Sequence, residues 1–364
     1  MAYRALGLGD FLTGVPALRA LRRAYPGDRL VLAAPRALEP LAALSGAVDA
    51  VADTPPLGPP PRGAAVAVNL HGRGPESHRV LQAASPGRLI AFANAAAGHD
   101  GPEWRSGEHE PARWCRLLRE SGIPADPDDL DLPPPPVASP APGATVIHPG
   151  AASPARRWPP DRWAAVARAE AAAGRDVVLT GGPDERKLAD AVAAGLPRTT
   201  VLAGRTDLLT LAALVAGAGR VVCGDTGVAH LATAYRVPSV VLFGPTPPQE
   251  WGPPRGRPWH RALWAGRRGD PHASTPDPGL LAITVDDVLA ALDREPTGRP
   301  VDMSISDKIS GRVKKAAADL TDDPELRRKG RQEERKGEAK EELAEAHDKA
   351  DRKAEEVANL ERKT

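Results

Sequence analysis

The sequence predicts an α/β chain with two parallel-sheet domains and a cleft between them, followed by a charged tail that is helical or partly disordered. Three observations predict it. Short apolar runs alternate with helical patterns in two successive series, the mark of βαβ units. A proline-rich stretch, DPDDLDLPPPPVASPAP at Asp126–Pro142, separates the series and suits neither helix nor sheet. The composition then changes at Met303, after which 16 basic and 16 acidic residues occur with no aromatic and one proline of the chain's 40. The expected boundaries are a first domain at 1–125, a linker at 126–142, a second domain at 143–293, a linker at 294–302 and a tail at 303–364.

In the first series, strands are expected at Ala2–Leu8, Arg29–Ala34, Val48–Ala52, Ala64–Leu70 and Arg88–Phe92. Helices are expected at Leu12–Ala24, Arg36–Leu44, Pro75–Ala84 and Pro111–Ser121. In the second, the strands are Thr145–His148, Asp176–Thr180, Thr200–Leu202, Arg220–Cys223 and Ser239–Phe243. The helices are Pro160–Ala173, Asp184–Ala194, Leu208–Ala216 and Val228–Tyr235, with a last one at Val285–Asp293. Open sheets of this kind take ligands outside the carboxyl ends of their strands.

Composition excludes several classes. Of 364 residues, 48 are basic and 47 acidic, leaving +1 and no global attraction for nucleic acid. No apolar run approaches the ~20 residues that span a bilayer. Cys115 and Cys223 form no CxxC pair, which argues against a disulfide scaffold or zinc ribbon. The expected location is a reducing cytoplasm.

Three segments carry candidate chemistry. In Arg4-Ala5-Leu6-Gly7-Leu8-Gly9-Asp10, Gly7 and Gly9 sit where a strand turns into a helix, and the spacing is not the G-x-G-x-x-G of dinucleotide binding. Asp10 either caps a helix starting at Phe11 or faces the cleft as a proton acceptor. In His148–Pro159 a loop of small residues with Ser153 leads to Arg156 and Arg157. Backbone N–H groups and a guanidinium fork there suit a diphosphate, and a solvated arginine pair is the ordinary alternative. In Gly224-Asp225-Thr226-Gly227-Val228-Ala229-His230 a helix opens at Gly227. Its N–H groups suit a phosphate, Asp225 suits sugar hydroxyls, and His230 stands one turn in, about 5 Å along the axis. Asp225 as a helix cap and His230 as a core residue are the alternatives. The Asp126–Asp131 carboxylates read as solvated loop, and no histidine spacing points to a metal.

Together these segments resemble glycosyltransferase family 9, the heptosyltransferase-like enzymes, over about Tyr3–Asp293. The resemblance rests on GLGDFLTGVPALRALRRAYP at Gly7–Pro26, ARRWP following HPG at His148–Gly150, and GDTGVAHLATAYRVPSVVLFGPT at Gly224–Thr246. It implies a GT-B fold, in which two Rossmann-like domains hold the acceptor and the nucleotide-sugar donor. It implies inverting, metal-independent transfer with no cofactor. The substrates would be a nucleotide-diphosphate sugar, ADP-heptose in the heptosyltransferases, and a glycan or lipid-linked acceptor, with peripheral contact at the inner membrane face. Asp10 falls on the family's catalytic aspartate. Arg156 falls where a lysine usually contacts donor phosphate, Ser153 lies in the same loop, and Asp225, Thr226, Gly227 and His230 match the donor-binding turn. Two other classes remain open: a catalytically silent nucleotide-sugar-binding or scaffold protein, and another GT-B enzyme such as a nucleotide-sugar epimerase.

In the tail, Ile305, Ile309 and Val313 form a thin helical stripe and Asp322-Asp323-Pro324-Glu325 is a helix start. Lys308–Glu341 resembles the CsbD-like stress-response proteins through Gly311–Ala317, Leu326-x-x-x-Gly330 and Gly337–Lys340. Met1 and Met303 each open one module, from which two joined coding units are expected.

Overall fold

The computed structural model describes residues 1–293. The expected tail and its CsbD-like segment lie outside the described residues. Strands β1 (Ala2–Tyr3), β2 (Val31–Ala34), β3 (Ala50–Asp53), β4 (Val66–Asn69) and β5 (Arg88–Ile90) form a five-stranded sheet in the order β3-β2-β1-β4-β5. Strands β6 (Thr145–His148), β7 (Val177–Leu179), β8 (Thr199–Val201), β9 (Arg220–Gly224), β10 (Ser239–Phe243) and β11 (His260–Trp264) form a six-stranded sheet in the order β11-β10-β9-β6-β7-β8. Every pairing within the two sheets is parallel.

The central strands read as near-continuous apolar runs because helices cover both faces. Val177–Leu179 and Ser239–Phe243 are buried at every position. The chain leaves each sheet's centre first to one side and then to the other. The order therefore reverses between β1 and β4 in the first sheet and between β6 and β9 in the second. These two reversals position the site.

The helix Leu8–Ala24 joins the halves. Phe11, Leu12, Val15, Leu18 and Leu21 make its apolar stripe and share one core with Val228, Leu231 and Ala232 of the helix Gly227–Ala234. The two helices cross closely at glycines. A Cβ on Gly227 would stand 2.9 Å from the Leu8 side chain, and one on Gly9 would stand 2.9 Å from the His230 ring.

Several elements differ from the sequence expectation. The first strand ends at Tyr3 and its helix starts at Leu8, with Gly7 as N-cap. The cause is a tight turn in which the Leu6 N–H donates to the Arg4 carbonyl (2.9 Å). Asp10 thus lies inside the first helical turn and is not the N-cap. Strand β11 was not anticipated, since it follows a Pro/Gly-rich stretch and is an edge strand with a mostly half-buried pattern. The Asp126–Asp131 carboxylates are not simply solvated. Asp129 accepts from Arg19 (2.7 Å) and Arg23 (2.8 Å) of the first half. Asp131 accepts from Arg236 (2.7 Å) and forms an ion pair with Arg257 (2.7 Å) of the second.

Candidate functional site

The first crevice opens at the carboxyl ends of β1 and β4. Arg4, one residue past β1, is almost fully buried, and a bare guanidinium there would be untenable without partners. It has four kinds. Nε donates to the Asp10 carbonyl and Nη1 to the Leu70 carbonyl. Nη2 donates to Thr13 Oγ1 (3.0 Å) and to Glu110 Oε1 (3.2 Å), and lies 3.5 Å from Asp10 Oδ1. Glu110, at the start of the helix Glu110–Glu120, also accepts from Trp114 Nε1 (2.9 Å) and from Arg113. The Trp114 ring lies 4.9 Å from the Arg4 guanidinium carbon.

Asp10 is the half-exposed end of this network, with 29% of its side chain accessible. Burial pushes its carboxyl up, and the Arg4 charge only partly offsets this while Glu110 adds to it. Such a carboxylate is a better proton acceptor than a solvated one. Gly7 borders it, its added Cβ lying 3.8 Å from Asp10 Oδ2.

The second crevice opens at the carboxyl ends of β6 and β9. The loop after β6 carries Ser153 and then a single 3₁₀ turn, Pro154–Arg156. Arg156 Nη1 donates to the Asp225 carbonyl (3.1 Å) and stands 3.8 Å from Asp225 Oδ2, so this side chain bridges the two loops. Arg157 turns back to its own loop, donating to the Ala151 carbonyl (2.8 Å). Thr226 is the N-cap of the helix Gly227–Ala234, yet its hydroxyl makes no cap bond. Three buried polar atoms here have no hydrogen-bond partner: Ser153 Oγ, Arg156 Nε and Thr226 Oγ1. Buried polar atoms are ordinarily paired, and each unpaired one costs about 1–3 kcal/mol. Together with the helix's opening N–H groups they form a cradle for an oxyanion.

The Asp225 side chain is 9% exposed, and burial pushes its carboxyl up to about 6 against the opposing charge of Arg156. The Asp10 charge raises it further, which brings the two crevices within electrostatic reach. Burial holds His230 near 4, hence neutral. Its ring lies against Gly9 and 6.1 Å from Trp251, at the seam between the halves.

The structure therefore brings Gly7, Gly9 and Asp10 to one crevice and Ser153, Arg156, Asp225, Thr226 and Gly227 to the other, with His230 between them. Sequence reasoning passed over Arg4 and Glu110. The available signal for Arg4 was a charge in a run otherwise apolar from Ala2 to Leu8. It also passed over Glu185, whose carboxylate accepts from the Gly182 N–H (2.8 Å) and lies over Gly150. Among the described residues, no group of three or more His, Cys, Asp or Glu could hold a metal ion.

The chain is similar to known proteins in sequence and in fold. Residues 136–267 match the family model of glycosyltransferase family 9 (heptosyltransferase), so the second half carries a domain of that family. The chain is 34% identical over 197 residues to a lipopolysaccharide heptosyltransferase 3 of Escherichia coli, covering 51% of this chain and 52% of that protein. It is 35% identical over 149 residues to lipopolysaccharide heptosyltransferase 1 of Pseudomonas aeruginosa, covering 39% of this chain and 41% of that protein. The chain thus spans about half the length or less of these relatives. Among solved structures, a family 9 glycosyl transferase of Veillonella parvula superposes with a TM-score of 0.65 at 18% identity, over 80% of this chain and 95% of that one. The E. coli ADP-heptose heptosyltransferase II superposes with a TM-score of 0.64 at 21% identity, over 80% and 96%. An E. coli heptosyltransferase solved with ADP gives 0.62 at 17%, over 80% and 98%. The fold is GT-B.

Proposed function

We propose that this protein is an inverting glycosyltransferase that moves a heptose-like sugar from a nucleoside-diphosphate donor to a hydroxyl of a glycan or glycolipid. The observation that carries the reading is the pairing of the two crevices. A buried cradle of unpartnered donors around Arg156, Ser153 and Thr226 stands opposite a carboxylate, Asp10, fixed by a buried arginine. ADP-heptose is the preferred donor, on the strength of the relatives' names and the ADP bound to a protein of the same fold.

In the mechanism, an acceptor hydroxyl attacks the anomeric carbon while Asp10 takes its proton. The bond from that carbon to the diphosphate oxygen breaks on the opposite face, so the anomeric configuration inverts. The products are a glycoside and the nucleoside diphosphate, whose growing negative charge meets Arg156 and the N–H groups opening at Gly227. Asp225 and Glu185 accept hydrogen bonds from donor hydroxyls, and His230 remains neutral at the seam. These cationic and backbone groups take the part a metal ion plays elsewhere. Chelation with EDTA is expected to leave the rate unchanged. The acceptor and a peripheral place at the inner membrane face follow from the same likeness. The tail reads as a CsbD-like appendage outside the chemistry, and a chain ended at Asp302 is expected to transfer at the full rate.

The test is incubation with ADP-heptose and a heptose-terminated glycolipid acceptor, with analysis of both products. A new glycoside of inverted configuration, equimolar with ADP, supports the reading. Donor binding with no new glycosidic bond overturns it.

A further inference from the structure

A ligand crevice in an open α/β sheet lies outside the carboxyl ends of the two strands that flank the reversal of strand order. In the first sheet these are β1 and β4. Asp10 follows β1. Two residues past the end of β4 stands His71, and the mechanism above gives it no part.

His71 is held as a site residue is held. Tyr3 and Asn69 are level in the β1–β4 register, so Arg4 and Leu70 come next on their respective strands. The Arg4 guanidinium donates to the Leu70 carbonyl and to the Asp10 carbonyl. One buried group thereby clamps the backbone beside both side chains. The His71 N–H donates to Asn69 Oδ1 (3.0 Å), and the Asn69 amide is itself fixed by Ser77 Oγ (3.0 Å) and His78 Nδ1 (3.2 Å). The Tyr3 ring lies 5.1 Å from the imidazole.

The ring's two nitrogens differ. Nδ1 is buried with no partner, and Nε2 has no protein partner among the described residues and is the nitrogen left to solvent. An unpaired buried N–H is costlier than a lone pair beside a cation, so the proton belongs on Nε2. Burial and the Arg4 charge also hold the ring near 4, hence neutral at physiological pH. The side chain presents a fixed N–H donor at the edge where Asp10 waits.

We infer that His71 is an acceptor-binding residue: its Nε2–H donates to an oxygen of the acceptor sugar adjacent to the attacked hydroxyl and thereby sets that hydroxyl against Asp10. The ligand class is a polyol with a hydroxyl or ring oxygen next to the nucleophile. This rests on the transfer reading above.

The test compares wild type with His71→Phe and His71→Gln, using ADP-heptose and the glycolipid acceptor. His71→Phe is expected to raise the acceptor KM about tenfold, the size of one lost hydrogen bond. The Kd for ADP stays at the wild-type value, which also shows the fold intact. His71→Gln, which keeps an N–H donor, recovers part of the loss. The ratio of the acceptor KM in His71→Phe to that of wild type stays constant between pH 8 and 5.5, because a ring held near 4 does not titrate there and any change from Asp10 or Asp225 enters both. An acceptor KM within twofold of wild type in His71→Phe, or an equal change in ADP affinity, overturns the assignment of His71 alone. No glycoside from the wild type overturns the transfer reading, and this inference with it.

Discussion

The two halves solve one topological problem with opposite chemistry. Both are doubly wound parallel sheets, and both place polar residues where the strand order reverses. In the first half the reversal is filled by Arg4, whose donors are committed to Asp10, Leu70, Thr13 and Glu110. In the second half Ser153 Oγ, Arg156 Nε and Thr226 Oγ1 are buried and uncommitted. A satisfied network fixes geometry, while an unsatisfied one favours whatever ligand completes it. The first half is built to hold a base still, and the second to attract an oxyanion.

The largest effect should come from removing the base while leaving the network around it. Asp10→Asn keeps the side-chain shape and the backbone carbonyl that Arg4 grips. Transfer is expected to fall roughly 10²–10⁴-fold, the usual reach of general-base assistance. ADP affinity, which belongs to the other half, should not move when measured by calorimetry. Wild-type turnover in this variant would remove Asp10 from the chemistry.

The converse change strikes the second half. Arg156→Met keeps the length and loses the charge. It should weaken ADP binding roughly 10- to 100-fold, the worth of a hydrogen bond to a charged group. Arg156→Lys should recover part of this as a point charge without the fork. If Arg156→Met binds ADP as well as wild type does, the contrast between a committed and an uncommitted crevice is wrong.

The contrast also explains what the sequence revealed. The second-half residues are local: Ser153 and Arg156 share one loop, and Asp225, Thr226 and Gly227 one turn, so their spacing was visible along the chain. The α/β rhythm was visible for the same reason, since strand and helix periods are local patterns. The network around Asp10 is not local. Leu70 and Glu110 lie 66 and 106 residues from Arg4, and nothing in their own neighbourhoods marks them. The anchoring of Asp129 and Asp131 was hidden for that reason too, because their arginines are spread over both halves.

A smaller effect should follow from the seam where the halves meet. Gly227→Ala would bring a methyl to 2.9 Å from Leu8, so the crossing helices must shift. Overpacking of this kind costs about 1–3 kcal/mol. The expected result is a lower Tm in thermal unfolding, with Leu8→Ala in the same chain restoring part of it. No change in Tm would mean that the helices separate at little cost and that the glycines are not needed for the crossing.

The last predicted effect is on pH, where the buried histidines and Asp225 contribute with different signs. Buried neutral His71 and His230 have folded values near 4, and His260 near 3, all below the ordinary 6.5. Between about pH 6.5 and 4 the unfolded chain therefore binds protons that the folded chain refuses, and stability falls as pH falls through that window. Each should cost about 2 kcal/mol by pH 5, and His71, only partly buried, less. Asp225 works the other way. Its folded value near 6 lies above the ordinary 3.8, so the folded chain takes up a proton first and is relatively favoured as pH falls through 6. Burial also lowers His78 and His148 and raises Asp10; the histidines outweigh the two aspartates, and the Tm should drop between pH 7 and pH 5. Asp225→Asn removes one opposing contribution and should steepen that drop. An unchanged drop in Asp225→Asn would mean that the Asp225 carboxylate is held ionised through this range, and the second crevice would then favour a cation rather than a diphosphate.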